Sequence, residues 1–249
     1  MKKLILFASA LCMSVCAMAQ SEFYVYKKDG SSVQFTIADV DSISFTAPAT
    51  GTANGYEWVD LGLSVKWATC NVGATSPEEY GNYYAWGETE PKTTYNWSTY
   101  KWCSGSSTTL TKYNTSSEYG TVDNKTVLEL ADDAARANWG GAWRMPTDAE
   151  WTELRTKCTW TWTDDYNGTG VAGRIVTSNI NANSIFLPAA GSLCSADLSF
   201  AGDYGDYWSG SLHTDYPDIA WHVDFGSGDV GRGGYGRCCG FAVRPVHGE

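Results

Sequence analysis

The sequence predicts an α+β protein, a small β module followed by one larger domain of two helices and many short strands. Three observations carry that expectation. The 249 residues hold 26 Gly, 12 Trp and 15 Tyr but only 18% charged residues, a load of rigid aromatics and turn formers that suits a loop-rich β domain better than a helical bundle. Only two segments have helical periodicity. The rest alternates short strand-like runs with long polar loops such as residues 104–119.

Charge narrows the function classes. Lys+Arg 17 against Asp+Glu 28 gives a formal net charge of -11, so polyanions and anionic membrane surfaces are repelled and no nucleic-acid partner is expected. The chain starts with Lys2 and Lys3, an apolar run over 4–15 and the small-x-small string Ala17-Met18-Ala19. This reads as a secretory signal peptide over residues 1–19, cleaved after Ala19, and the run is too short to span a bilayer. The destination is then extracytoplasmic, and six cysteines remain: Cys70, Cys103, Cys158, Cys194, Cys238 and Cys239. Their pairing is open among 15 arrangements. The plain reading is free buried cysteines with room for one bridge. No zinc-type spacing occurs.

Residues 20–45 read as a small β module. Phe23–Tyr26 and Val33–Ile37 flank Asp29-Gly30, a hairpin signal because Gly takes positive φ without steric cost, and 41–45 could add a third strand. Residues 46–55 are small and polar and read as a linker. From Tyr56 the texture changes, and all 12 Trp lie between Trp58 and Trp221, which marks 56–249 as one domain. Its first helix is expected over about 124–138, with Val127, Leu130, Ala131 and Ala134 on one face and Gly140-Gly141 as the stop. The second begins at Thr147, where Thr147-Asp148-Ala149-Glu150 forms a capping box, with Trp151, Leu154 and Cys158 facing inward. Near the C-terminus, Trp221, Val223 and Phe225 alternate with His222, Asp224 and Gly226. The first set is expected inside and the second outside.

No nucleophile elbow, zinc-protease helix, phosphate loop or dinucleotide fingerprint is present, and Gly231-Arg232-Gly233-Gly234 lacks a following helix. A metal site from His213, His222 and Asp224 is weaker than their reading as exposed strand positions. Asp132-Asp133 and Asp164-Asp165 read as solvated surface. Neither an enzyme nor a cofactor is expected.

Several strings carry a resemblance: YEWVDLGLSVKWATCNVGA (56–74), YYAWGETEPK (83–92), WGGAWRMPTDAEWTEL (139–154), IFLPAAG (185–191), Tyr207-Trp208-Ser209 and GFAVRPV (240–246). Together they resemble the Fibrobacter succinogenes major paralogous domain family. That resemblance implies a C-type lectin-like fold of the formylglycine-generating-enzyme subtype, over nearly all of 56–247. The calcium-dependent sugar motifs of such lectins are absent. Cys194 stands alone and Cys238-Cys239 are adjacent, so the closely spaced pair of the oxidase is missing too, and the fold carries over without the chemistry.

The expected outward positions of the C-terminal stretch share a further property. His213, Asp215, Tyr216, Asp218, Ile219, His222, Asp224, Gly226, Asp229, Gly231, Gly233, Gly234, Tyr235, Gly236, Cys238 and Cys239 are all types reachable from an AAC codon by changing only adenines. Lys, Glu, Gln and Met are not, and residues 213–240 contain none of them. This resembles the variable region of retroelement-diversified proteins; ordinary turn chemistry is the bland account. The expected function is a secreted or surface-displayed binding protein whose face over about 208–239 meets a macromolecular ligand, protein or glycan. Tyr216 and Tyr235 would anchor it, while His222, Asp224 and Arg237 tune polarity. A structural or adhesive surface component and a calcium-independent carbohydrate-binding module are the alternatives.

Overall fold

The structure is a computed structural model that describes residues 22–27, 29–39 and 49–248. They fall into two units, divided between Ala47 and Pro48. In the first, β1 (Glu22–Tyr26) and β2 (Ser32–Thr36) pair antiparallel, with Val25 opposite Val33 and Gly30 at φ 84 in the turn, as the Asp-Gly signal requires. The expected signal peptide and third strand lie outside the described residues.

The second unit is mostly β. In chain order it comprises β3 (Thr50–Ala53), β4 (Tyr56–Val59), β5 (Lys66–Ala68), β6 (Tyr83–Ala85), α1 (Ala134–Trp139), β7 (Trp143–Arg144) and α2 (Asp148–Lys157). There follow β8 (Cys158–Thr163), β9 (Gly173–Ser178), β10 (Ser184–Pro188), β11 (Ser192–Cys194) and β12 (Asp197–Ser199). The C-terminal strands are β13 (Gly205–Leu212), β14 (Ile219–Phe225), β15 (Val230–Gly236), β16 (Gly240–Ala242) and β17 (Val246–His247). One sheet runs β12-β11-β16-β13-β14-β15 with β6 joined to β16. A second runs β3-β4-β5-β17-β7, and a third β10-β9-β8.

The first of these sheets decides where the core sits. Tyr207, Val223, Phe225 and Ala242 point into one apolar cluster with Trp67 and Trp151. Trp208, Ala220, Phe241 and Val243 point into the other with Trp86 and Trp143. Strands β13, β14 and β16 are therefore covered on both faces along most of their length. Trp67, Trp143, Trp151 and Trp208 are all at most 1% exposed, as the scaffold reading expects. Their ring nitrogens stay satisfied where a carbonyl is in reach: Trp208 donates to Tyr84 O at 2.8 Å and Trp143 to Ala53 O at 2.8 Å.

Three expectations need correction. Residues 50–53 of the expected linker are strand β3, turned back onto β4 by Asn54 and Gly55 at φ 49 and 84. Two successive positive φ values at an Asn-Gly pair close a two-residue hairpin. The helix expected over 124–138 is only Ala134–Trp139, after a 3-10 turn at Leu130–Asp132. The Leu128 amide donates to Gly210 O and Leu212 donates back to Thr126 O, so the preceding segment runs extended beside β13 and leaves Val127 and Leu130 exposed. Asp132 and Asp133 are not solvated surface but buried. Asp133 caps α1 by accepting from the Arg136 amide and also accepts from the Met145 amide, although burial pushes its carboxyl up. Asp132 accepts from Tyr113 Oη at 2.7 Å and Lys112 Nζ at 2.5 Å.

Helix α2 begins as its motif dictates. Thr147 Oγ1 accepts from the Glu150 amide at 3.2 Å, and Glu150 accepts from the Thr147 amide at 2.7 Å. Trp151 and Leu154 are buried, and so is Cys158, which already belongs to β8. Thr147→Ala should lower stability by about 1 kcal/mol, read as a lower urea midpoint at unchanged m-value, whereas Thr147→Gly should cost only a few tenths.

Candidate functional site

The β13–β14–β15 ribbon fixes which residues share a face. Asp206 pairs with Asp224, which pairs with Gly231; Trp208 pairs with His222, which pairs with Gly233. Directly opposite residues point the same way, so both carboxylates and the imidazole stand on one face. Tyr235, opposite Ala220, joins them. The neighbouring wall comes from Ser192 on β11 and from the turn after β12, where Phe200 and Tyr204 project. A cleft of ≈ 440 Å³ lies between these groups.

The glycines of β15 expose the cleft's polar groups. A Cβ at position 231 would sit 2.5 Å from Asp224 Oδ1, and one at 233 would sit 3.1 Å from His222 Cε1. The aromatic walls are two perpendicular pairs. Phe200 and Tyr204 meet at 5.9 Å and 79°, and His222 and Tyr235 at 5.8 Å and 79°. Phe200 holds φ 60, a left-handed conformation that an aromatic residue adopts only under tertiary constraint, while its ring remains 63% exposed. Its carbonyl accepts the amides of Asp203 and Tyr204, which fixes the turn.

Electrostatically the cleft is under-compensated. His222 is 6% exposed, and its Nε2 lies 3.8 Å from both Asp206 Oδ1 and Asp224 Oδ1, beyond hydrogen-bonding distance. Burial pushes its pKa down despite Asp224, so the ring stays neutral near pH 7. The Gly233 backbone lies close enough to favour its charged form slightly, yet no atom meets the buried Nδ1 in hydrogen-bond geometry. Asp206 is pushed up to about 6, first by burial and then by Asp224, with the Ser192 hydroxyl pulling the other way. No Lys or Arg lines the cleft. A second groove of ≈ 660 Å³ adjoins it across Phe200 and Tyr204, edged by Asp164, Asp203 and Asp229.

The sequence-predicted site is thus divided. His222, Asp224, Gly231, Gly233 and Tyr235 converge on the cleft, although His222 is buried rather than outward. Gly226 is buried as well, and Trp221 is only half-buried. His213 and Tyr216 lie toward the opposite face. There the His213 ring stacks on Trp221 at 4.2 Å, the Arg232 guanidinium covers Trp221 at 3.4 Å, and Asp148 pairs with Arg232 at 2.5 Å. That stack pairs its own charges, although the buried His213 Nδ1 has no hydrogen-bond partner. Asp215 and Asp218 sit in the connecting loop and Asp229 in the next turn. Because His213 and His222 occupy opposite faces, they cannot share a metal. Among the described residues no group of three His, Cys, Asp or Glu could hold one.

Three expected surface residues are interior. Arg237 is 0% exposed: Nε donates to Tyr100 Oη, Nη1 to the carbonyls of Tyr113 and Pro217, and Nη2 to Lys112 O. It ties three separate loops together and tunes no ligand. Cys238 is buried and free, with its thiol pushed up to about 11 by burial. Cys239 is buried in a disulfide with Cys194, which fastens β11 to the segment before β16. Asp206, Ser192, Phe200 and Tyr204 were missed from sequence. None of them carries a readable signal: Asp206 precedes Tyr207 and Trp208, both fully buried, so no polar–apolar alternation marks it.

Comparison with known proteins gives no match: no protein-family model, no curated protein and no solved structure matches the chain.

Two outcomes follow from this geometry. Arg237→Lys should cost about 2–4 kcal/mol, because an ammonium cannot reproduce the planar fork and leaves buried carbonyls unpaired; a urea melt checks this. Asp206 has a raised folded-state pKa, so its contribution is favourable below its ordinary value and is lost as pH rises through about 6. Asp206→Asn should therefore stabilise by about 1–3 kcal/mol at pH 7.5 and leave stability nearly unchanged at pH 4, in urea melts at both pH values.

Proposed function

We propose that this is a secreted or surface-displayed ligand-binding protein whose C-terminal ribbon binds its target through the cleft between β11–β12 and β13–β15. The observation that carries this reading is the open cleft itself, with two carboxylates that no Lys or Arg offsets and a buried imidazole whose Nδ1 has no hydrogen-bond partner. Rigid aromatics at its rim supply contact area at small entropic cost. Binding is favoured over catalysis because Ser192 engages Asp206 and not His222, so no nucleophile is bonded to the imidazole. The leader-like start and the Cys194–Cys239 bridge support an oxidising destination. The two helices among many short strands support the C-type lectin-like scaffold implied by the sequence strings.

Diversification by a retroelement has its own support, the complete lack of Lys, Glu, Gln and Met over 213–240. A near-copy of the 3′ end with adenines at those codons, beside a reverse transcriptase gene, is the expected genomic finding; intact flanking DNA without them overturns it.

Protein and glycan arrays probed with and without calcium test the binding reading. Bound targets are expected in both conditions, with Tyr235→Ala and Phe200→Ala each weakening them by about tenfold or more. Binding lost in Tyr216→Ala instead moves the site to the opposite face, and binding untouched by all three variants discards the ribbon as the site.

A further inference from the structure

The proposed cleft has a definite chemical preference. Resting on the ligand-binding reading above, we propose that it takes an organic ammonium ion, free or N-methylated, seated between the Asp206–Asp224 carboxylates and the rings of Phe200, Tyr204 and Tyr235.

The charge balance points that way first. Two carboxylates stand side by side on paired positions with no Lys or Arg in the lining. The only basic group facing them is His222, whose Nε2 stays 3.8 Å from each and donates to neither. The remaining facing groups are the Ser192 hydroxyl from β11 and the phenols of Tyr204 and Tyr235. Of the buried side chains with an unpartnered polar atom, His222 is the one that lines this cleft.

The walls then select the kind of cation. A bare metal ion needs three or more donors at about 2.0–2.6 Å, a set that this cleft does not assemble. An ammonium group with alkyl substituents needs carboxylate charge and aromatic faces instead. Because each aromatic pair is perpendicular, one ring can present its face to a guest wherever its neighbour presents an edge. The volume of ≈ 440 Å³ exceeds what a small ammonium head needs and leaves room for its stem. The adjoining groove, with three further aspartates at its margin, offers a path for a longer chain. Such a head could come from a lysine side chain of a partner protein or from a free amine.

The test titrates the full mature protein by calorimetry. The probes are choline, its uncharged carbon isostere 3,3-dimethylbutanol, and a short peptide carrying lysine or trimethyl-lysine. At least one cationic probe is expected to bind about tenfold or more tighter than its neutral counterpart. Asp224→Asn and the exposed Phe200→Ala should each weaken it by about fivefold or more. Affinity should also fall between pH 7.5 and pH 5, as a proton on Asp206 competes with the guest, and that dependence should shrink in Asp206→Asn. Peptide binding without choline binding assigns the ammonium to a partner chain, and the converse assigns it to a free amine. Equal binding of choline and 3,3-dimethylbutanol overturns the cation preference while leaving a ligand site in place. Array targets that depend on Tyr235 but are not displaced by any cation do the same. Absence of both array targets and cation binding discards the cleft together with the reading it rests on.

Discussion

Strands β13, β14 and β16 must bury both of their faces, and most of the second unit is arranged to meet that demand. Tyr207 and Trp208 are neighbours in sequence yet point into different apolar clusters, one with Trp67 and Trp151, the other with Trp86 and Trp143. A short sheet has little area of its own, so the long loops of residues 86–130 and the two other sheets act as its covers. Where the covers end, at the edge strands β12 and β15 and at Asp206 on β13, the sheet reaches solvent. The cleft occupies that margin.

The treatment of charge differs sharply between the interior and this margin. Arg237 has every guanidinium nitrogen bonded, and Asp133 accepts two backbone amides at the head of α1. These groups cost desolvation free energy that hydrogen bonds offset, and in return they tie distant loops to the C-terminal strands. Asp206 and His222 are nearly as enclosed, but they have no such bonds to each other. Arg244 also keeps one buried guanidinium nitrogen unbonded, but it lies in the interior, whereas Asp206 and His222 border an open cleft, and perturbed groups in a cleft are where binding sites tend to lie.

How much of this was legible in the sequence depended on range. Local rules succeeded where the chain contacts itself nearby: the capping box of Thr147, the Asp-Gly turn at Gly30, and the tryptophans at Trp67, Trp143, Trp151 and Trp208, whose bulk demands burial. Asn54-Gly55 was equally local, but its flanking Thr50–Ala53 run is too small and polar to look like a strand, and pairing with β4 makes it one. The segment before α1 has helical spacing, yet its amides are committed to β13, a contact about eighty residues away. His222 defeated the alternation argument because a polar residue opposite two apolar ones reads as outward when only one sheet face is assumed buried. Arg237 failed for a different reason: its acceptors are the Tyr100 hydroxyl and carbonyls of remote loops, and no pattern in sequence announces them. His222, Asp224 and Tyr235, singled out in the sequence, do line one cleft, but its far wall, Phe200 and Tyr204, belongs to a turn without any motif.

The glycines at 231 and 233 give this arrangement an unusual freedom. Neither has the positive φ that would demand glycine, and β15 is the edge of its sheet, so a side chain at 231 need only displace the half-buried Asp224 carboxylate, while one at 233 makes a tight contact with the His222 ring. The hollow is therefore made by omission, two absent side chains on a strand that the interior does not rely upon. Substitution at a pair of codons can reshape the hollow while the hydrophobic interior goes untouched, which decouples change at this surface from change in folding.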